Sequence, residues 1–121
     1  MQPQVSRRFI LRGIETECSI GIHDFEKAAP QRILVDLEIL LDPDNEPTAD
    51  DIADAVNYDD IREAVLKIAR SRHFDLQETL ARTIFDHVTA MDGVMGLSVQ
   101  TSKPDVYEDV AQASYRLSSL S

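Results

Sequence analysis

The sequence predicts an α+β fold in which four strands form one antiparallel sheet and two antiparallel helices cover one face of it. Two observations carry this prediction. The apolar pattern has period two before residue 42, a period near four between residues 58 and 91, and period two again from residue 94. The connection between the two helical stretches is short, which favours antiparallel neighbours. The predicted order is therefore ββααββ.

The first two strands are predicted to pair as an antiparallel ribbon. The segment RILVDLEILLD alternates, and its apolar side chains share one face: Ile33, Val35, Leu37, Ile39 and Leu41. The preceding segment RFILRGIETECSI is rich in strand formers, and Gly13 indicates a bulge or bend within it. Their connection, GIHDFEKAAPQ, is longer than a tight hairpin, so we expect a loop whose polar groups project into a site.

Two helices follow an irregular stretch at residues 43–56, in which TADDIADAV gives a short turn. The first helix, in YDDIREAVLKIARSR, has an apolar stripe of Ile61, Val65 and Ile68. The second helix, in FDLQETLARTIFDHVTAM, has a stripe of Leu76, Leu80, Ile84 and Val88. We expect Asp75 to cap its first turn.

The second ribbon follows the helices. VMGLSVQTS places Leu97, Val99 and Thr101 on one side of a strand, and KPDVYED joins it to a last strand in VAQASYRLSS. The chain has no internal repeat and no linker, and 121 residues is the usual size of one domain. Residues 1–121 are therefore predicted to form a single domain.

Composition limits the partners and the compartment. The chain has 22 acidic and 12 basic residues, and its net charge of −10 would repel nucleic acid and anionic membranes. No run of 18 apolar residues predicts a membrane span. Cys18 is the one cysteine, so no internal disulfide forms, and the N-terminal segment lacks the apolar core of a signal peptide. We expect a soluble cytoplasmic protein.

Cofactor and metal motifs are absent from the sequence. The four glycines are scattered, and none belongs to a phosphate-binding fingerprint. His23, His73 and His87 have neither the spacing of zinc ligands among themselves nor a suitable spacing to the cysteine. No serine lies in a nucleophile-elbow pattern. We therefore expect no cofactor and no metal.

Lys103, in VQTSKPD, is one of three lysines, beside 22 acidic residues. Pro104 restricts its backbone to an extended conformation, which holds the lysine at the end of a strand. One interpretation is a solvated lysine that protects a strand edge. The other is a proton donor held in position for chemistry.

Three further residues also allow two interpretations each. Glu78 has capping-box spacing to Asp75, yet a carboxylate at a helix N-terminus can accept paired hydrogen bonds from an amidine-like ligand edge. Tyr58 comes just before a helix. It is either a core aromatic residue whose hydroxyl contacts solvent or a group that transfers protons. Glu26 is either a solvated loop carboxylate or a site residue.

In order, the motifs SIGIHDFEKAAPQ, AVNYDD, FDLQETLAR and QTSKPD resemble those of the dihydroneopterin aldolase family across most of the chain. Each motif alone is weak, and their order and spacing carry the resemblance. Members of this family have a tunnelling fold, whose ββααββ subunit agrees with the order predicted from periodicity.

The resemblance implies a retro-aldol reaction in folate biosynthesis, without a Schiff base or a metal. The substrate would be 7,8-dihydroneopterin, and the products would be 6-hydroxymethyl-7,8-dihydropterin and glycolaldehyde. Lys103 would be the main acid/base group at N5 of the pterin, and Tyr58 would help to move a side-chain hydroxyl proton. Glu26 would bind the hydroxyls or orient a water. Glu78 would hold the 2-amino and N3–H edge of the pterin, helped by the backbone at Gln77.

The resemblance also implies assembly. Family subunits close into a ring of four that often stacks into an octamer, with sites between subunits, so Tyr58 would serve the site of an adjacent chain. Two alternatives stay open. One is the related dihydroneopterin triphosphate 2'-epimerase, and the other is a pterin-binding protein without catalysis.

Overall fold

The computed structural model of the protein describes residues 4–121. Its strands are β1 (Arg7–Cys18), β2 (Gln31–Leu41), β3 (Val94–Lys103) and β4 (Ala113–Ser118). They lie in this order in one antiparallel sheet, so β1 and β4 are its edges. The helices are α1 (Asp24–Ala28), α2 (Tyr58–Ala69) and α3 (Gln77–Thr89), and two 3₁₀ turns span Pro43–Asn45 and Ile52–Asp54. The predicted four-stranded α+β architecture is confirmed.

The core lies between one face of the sheet and the two long helices. All five apolar residues predicted for β2 are buried, and so are Leu97, Val99 and Thr101 of β3. The apolar residues among them pack in one cluster with the buried stripes of α2 and α3: Ile61, Val65, Leu80, Ile84 and Val88. Because both helices use the same sheet face, the opposite face carries the even-numbered residues of β2, which are partly exposed.

Strand β1 has the irregularity expected at Gly13. The pairing register with β2 shifts between Leu11 and Ile14, and Gly13 has a φ of 69°. Its backbone N–H donates a hydrogen bond of 2.6 Å to Asp36 Oδ1 on β2. The bulge therefore bends β1 without leaving this donor unpaired.

The start of α3 differs from the prediction. The N-cap is Leu76, without a side-chain capping bond, so Asp75 does not cap the helix and the capping box with Glu78 is wrong. Leu76 is 47% exposed and does not belong to the buried stripe. The cause is Phe74, which is fully buried and forms an isolated parallel bridge with Ile20. This bridge keeps the chain extended for one residue longer than the predicted cap at Asp75 indicated.

The connection between β1 and β2 also differs from the prediction of a loop. Residues Asp24–Ala28 form α1, a helix of five residues. One turn and a half is too short to show a helical period, so the apolar pattern contained no signal for this helix. This helix decides where Glu26 lies.

Candidate active site

Lys103 and Glu26 form a buried ion pair. Lys103 is the last residue of β3, and its Nζ donates a hydrogen bond of 2.8 Å to Glu26 Oε2. Only 12% of the Lys103 side chain is exposed, and Glu26 is 6% exposed. Both solvated interpretations are therefore wrong. Strand β3 is an interior strand, not an edge, and α1 turns Glu26 inward.

Two further donors hold the Glu26 carboxylate. Gln31 Nε2 donates to Glu26 Oε2 across 3.0 Å, and the backbone N–H of His23 donates to Oε1 across 3.4 Å. Burial by itself raises the pKa of the Glu26 carboxyl, but these bonds and the hydrogen bond and charge of Lys103 outweigh burial and lower the pKa from 4.5 to about 2. Glu26 is therefore ionised at neutral pH.

Gly21 makes room for this carboxylate. A Cβ at this position would overlap all three carboxyl atoms of Glu26, and Gly21 has a φ of 124°, which side-chain-bearing residues rarely adopt. Neither Gly21 nor Gln31 was predicted to have a role in the site. Both lie in the quoted motif around Glu26, but their roles depend on α1, which the periodicity did not reveal.

A cavity of about 410 Å³ lies next to the ion pair, within the size range of small-molecule sites. Its walls come from parts of residues 21–26, 75–78 and 103–107, together with Gln31 and Ala113. The structure thus brings four of the five predicted site residues together around one space: Glu26, Gln77, Glu78 and Lys103.

The wall that carries Glu78 is tied to the sheet through Gln77. Thr101 Oγ1 on β3 donates to Gln77 Oε1 across 3.0 Å, and Gln77 Nε2 donates to the carbonyl oxygen of Ala113 on β4 across 3.4 Å. Glu78 is exposed in the first turn of α3, where the helix dipole favours a negative charge. Its carboxylate is available to a ligand in the cavity.

Tyr58 does not line this cavity within one chain. It is the first residue of α2, is 48% exposed, and packs edge-on against Phe9 of β1 with ring centroids 5.2 Å apart. Within one chain, Tyr58 therefore does not meet Glu26 and Lys103 at the cavity. The role of Tyr58 therefore stays a prediction.

Within residues 4–121, no three His, Cys, Asp or Glu side chains lie together in a way that could hold a metal ion. Over the same residues, no helix has both the length and the apolar character needed to cross a membrane.

The comparison with known proteins decides the family. The family model described as FolB, dihydroneopterin aldolase, matches residues 9–118. The chain belongs to the dihydroneopterin aldolase family. The family predicted from the ordered motifs is thus confirmed.

Relatives in the dihydroneopterin aldolase family match over most of their length. The dihydroneopterin aldolase of Haemophilus influenzae is 28% identical over 106 residues, which cover 88% of this chain and 87% of that protein. A dihydroneopterin triphosphate 2'-epimerase of Pseudomonas aeruginosa is 28% identical over 97 residues, 80% and 79% of the two chains. The crystal structure of a dihydroneopterin aldolase from Burkholderia thailendensis bound to guanine has a TM-score of 0.84 at 28% identity, covering 96% of this chain and 92% of that one.

Proposed function

We propose that this protein is a cytoplasmic 7,8-dihydroneopterin aldolase of folate biosynthesis, which releases 6-hydroxymethyl-7,8-dihydropterin and glycolaldehyde. The observation that carries the proposal is the buried pair of Lys103 and Glu26 in one cavity with Glu78, in a chain of this family. An acid/base group and an ionised carboxylate then lie beside a group that can recognise the substrate.

Glu78 is suited to the pterin ring. Guanine, which is bound to the Burkholderia relative, has the same 2-amino-4-oxopyrimidine edge as a pterin. That edge presents two parallel N–H donors, and a carboxylate accepts such a pair with good geometry. The pterin edge would therefore lie on Glu78, next to the backbone of Gln77. The hydroxylated side chain of the pterin would then point towards Lys103 and Glu26.

The chemistry needs an electron sink and proton transfer. Lys103 would protonate N5 of the pterin, directly or through a water, so that the N5=C6 linkage accepts the electron pair of the breaking carbon–carbon bond. Loss of a hydroxyl proton from the side chain, which Tyr58 would help to move, completes the release of glycolaldehyde. Protonation of the carbon that was bonded to the departing fragment, with return of the N5 proton, then gives 6-hydroxymethyl-7,8-dihydropterin. Glu26 would bind the hydroxyls or orient the water. This reaction requires neither a Schiff base nor a metal.

Tyr58 would complete the site from a neighbouring subunit. It lies outside the cavity of its own chain, and strands β1 and β4 are unpaired edges through which copies of the chain can associate. A ring of four subunits, or two stacked rings, would place one chain's Tyr58 beside another chain's Lys103. Each site would then belong to two chains.

The second candidate activity is epimerisation of dihydroneopterin triphosphate, which the Pseudomonas relative favours. The cavity wall argues for the unphosphorylated substrate. Its carboxylates are Glu26, Asp75, Glu78 and Asp105, and its one ammonium group, that of Lys103, is already paired with Glu26. A triphosphate would meet repulsion there.

The test incubates the purified protein with 7,8-dihydroneopterin and with its triphosphate and measures glycolaldehyde and 6-hydroxymethyl-7,8-dihydropterin. We expect release of glycolaldehyde from the free compound. An epimer formed only from the triphosphate would move the assignment to the epimerase. Pterin binding without any conversion would leave a non-catalytic binding protein.

A Lys103→Ala variant separates catalysis from binding. Because Glu78 and Gln77 would hold the pterin, we expect Lys103→Ala to lose turnover while its affinity for the pterin stays close to that of the parent. Lys67→Ala, at an exposed position on α2, is the matched control and should retain turnover. Equal turnover in the two variants would contradict the role of Lys103.

A further inference from the structure

His73 connects the two walls of the cavity. It lies between α2 and α3, directly before the buried Phe74, whose backbone exchanges hydrogen bonds of 2.9 Å with the Ser19 carbonyl and the Gly21 N–H. His73 Nδ1 lies 2.6 Å from Ser19 Oγ, and Nε2 lies 2.9 Å from the carbonyl oxygen of Gly21. Nε2 is also 3.2 Å from Asp75 Oδ1.

These contacts determine the tautomer of the imidazole. A carbonyl oxygen only accepts, so Nε2 must carry the hydrogen that it donates to Gly21. In the neutral ring Nδ1 is then an acceptor, and the Ser19 hydroxyl donates to it. Both ring nitrogens are therefore used.

The Gly21 carbonyl belongs to the segment that positions Glu26. Gly21 lies against the Glu26 carboxylate, and the His23 backbone N–H donates to that carboxylate. Gln31 Nε2 donates both to the Ile20 carbonyl, across 2.7 Å, and to Glu26. A shift of residues 20–23 would therefore carry Glu26 away from Lys103.

The opposite wall has an attachment of its own. Gln77 is held to β3 and β4 through Thr101 and Ala113, and neither of these hydrogen bonds involves His73. Loss of the His73 contacts would consequently remove the side-chain bond to the Gly21 carbonyl and loosen the segment before α1, which the Phe74 backbone and Gln31 still hold, and it would leave the bonds of Gln77 intact. Loss of the His73 contacts should therefore impair proton transfer while pterin binding is retained.

We propose that His73 is a positioning residue for the aldolase reaction, acting through its Nε2–H bond to Gly21 to hold Glu26 at its distance from Lys103. This inference rests on the proposed function. An error of about 1 Å in the placement of a reacting group can cost about a hundredfold in rate.

The test compares two amide variants. In His73→Gln the amide N–H reaches the position of Nε2 and can still donate to Gly21, whereas in His73→Asn the shorter amide reaches only the position of Nδ1. We expect His73→Gln to keep kcat within about threefold and His73→Asn to lose at least about tenfold in kcat, with KM within about twofold in both. His87→Asn, at an exposed position of α3, is the control.

The outcomes separate the two proposals. A parent protein that does not cleave 7,8-dihydroneopterin would refute the proposed function. An active parent with equal kcat in His73→Gln and His73→Asn would overturn the role of His73. Imidazole ¹⁵N NMR of the parent adds a readout that needs no turnover or variant folding: we expect neutral His73 as the Nε2–H tautomer, and the Nδ1–H tautomer would overturn the inference.

Discussion

Lys103 and Glu26 are joined by a hydrogen bond of 2.8 Å although 77 residues separate them in the chain. Both side chains are nearly buried, and the pair lies on the wall of the cavity. A buried carboxylate without its cation would be strongly destabilising, so each residue depends on the other. The pair links the stability of the protein to the chemistry proposed for it.

The first prediction concerns stability at low pH. The pKa of Glu26 in the folded protein, about 2, lies below its ordinary value of 4.5, so the folded state binds fewer protons than the unfolded state between these values. The stabilisation by Glu26, about 3 kcal/mol, is complete above about pH 5 and is lost as the pH falls towards 2. Urea unfolding measures the free energy of unfolding of the parent and of Glu26→Gln. The difference between these two free energies should shrink by about 2 kcal/mol from pH 7 to pH 3.

The exposed Glu108 gives the control for this measurement. Glu108→Gln should unfold in parallel with the parent over the same pH range. The depressed pKa of Glu26 would be contradicted if the parent and Glu26→Gln differed in free energy of unfolding by a constant amount from pH 7 to pH 3.

The second prediction compares two glycines with positive φ. In Gly21→Ala the new methyl group overlaps the Glu26 carboxylate, so we expect kcat to fall at least about tenfold, together with a loss of stability. Gly13→Ala meets no atom within 4 Å and should cost only backbone strain, about 1 kcal/mol, with activity retained. Equal activity of the two variants in steady-state assays would argue against close packing at Gly21.

The third prediction concerns the shared site. Lys103→Ala and Tyr58→Phe homo-oligomers should each be impaired, because each lacks one group of every site. If Tyr58 serves an adjacent chain, unfolding and refolding the two variants together restores about a quarter of the sites, since each site draws its Lys103 and its Tyr58 from different chains. Activity measured before and after mixing tests this, and no recovery in verified mixed oligomers would assign both groups to one chain.

The fourth prediction concerns the wall that binds the pterin. Thr101→Val keeps the shape of a buried side chain but removes the hydroxyl that donates to Gln77. Loss of one hydrogen bond of about 1 kcal/mol should weaken pterin binding about fivefold and raise KM, with kcat nearly unchanged. Thr83→Val is the control, because the hydroxyl of Thr83 donates within α3, to the Thr79 carbonyl. A fall in kcat at constant KM would place Thr101 with the proton-transfer groups instead.

The local pattern of apolar residues was sufficient to predict most of the fold. Alternation in β2 and the stripes of α2 and α3 depend on which face of each element is buried, and neighbours within a few residues carry that signal. The bend at Gly13 was predictable for the same reason. The beginning of α3 was not, because Asp75 had the right chemistry for a cap while the long-range bridge between Phe74 and Ile20 kept the chain extended.

Some features of the site were likewise predictable from local sequence, whereas others depend on long-range packing. Local sequence was enough to predict that Lys103 ends a strand and that Glu78 lies in the first turn of a helix, because Pro104 and the helical stripe act locally. Long-range packing places Glu26 against Lys103, with Gly21 and His73 supporting it, and leaves Tyr58 outside the cavity. These relationships join residues dozens of positions apart, and their distances depend on sheet register and helix packing, which no local period contains.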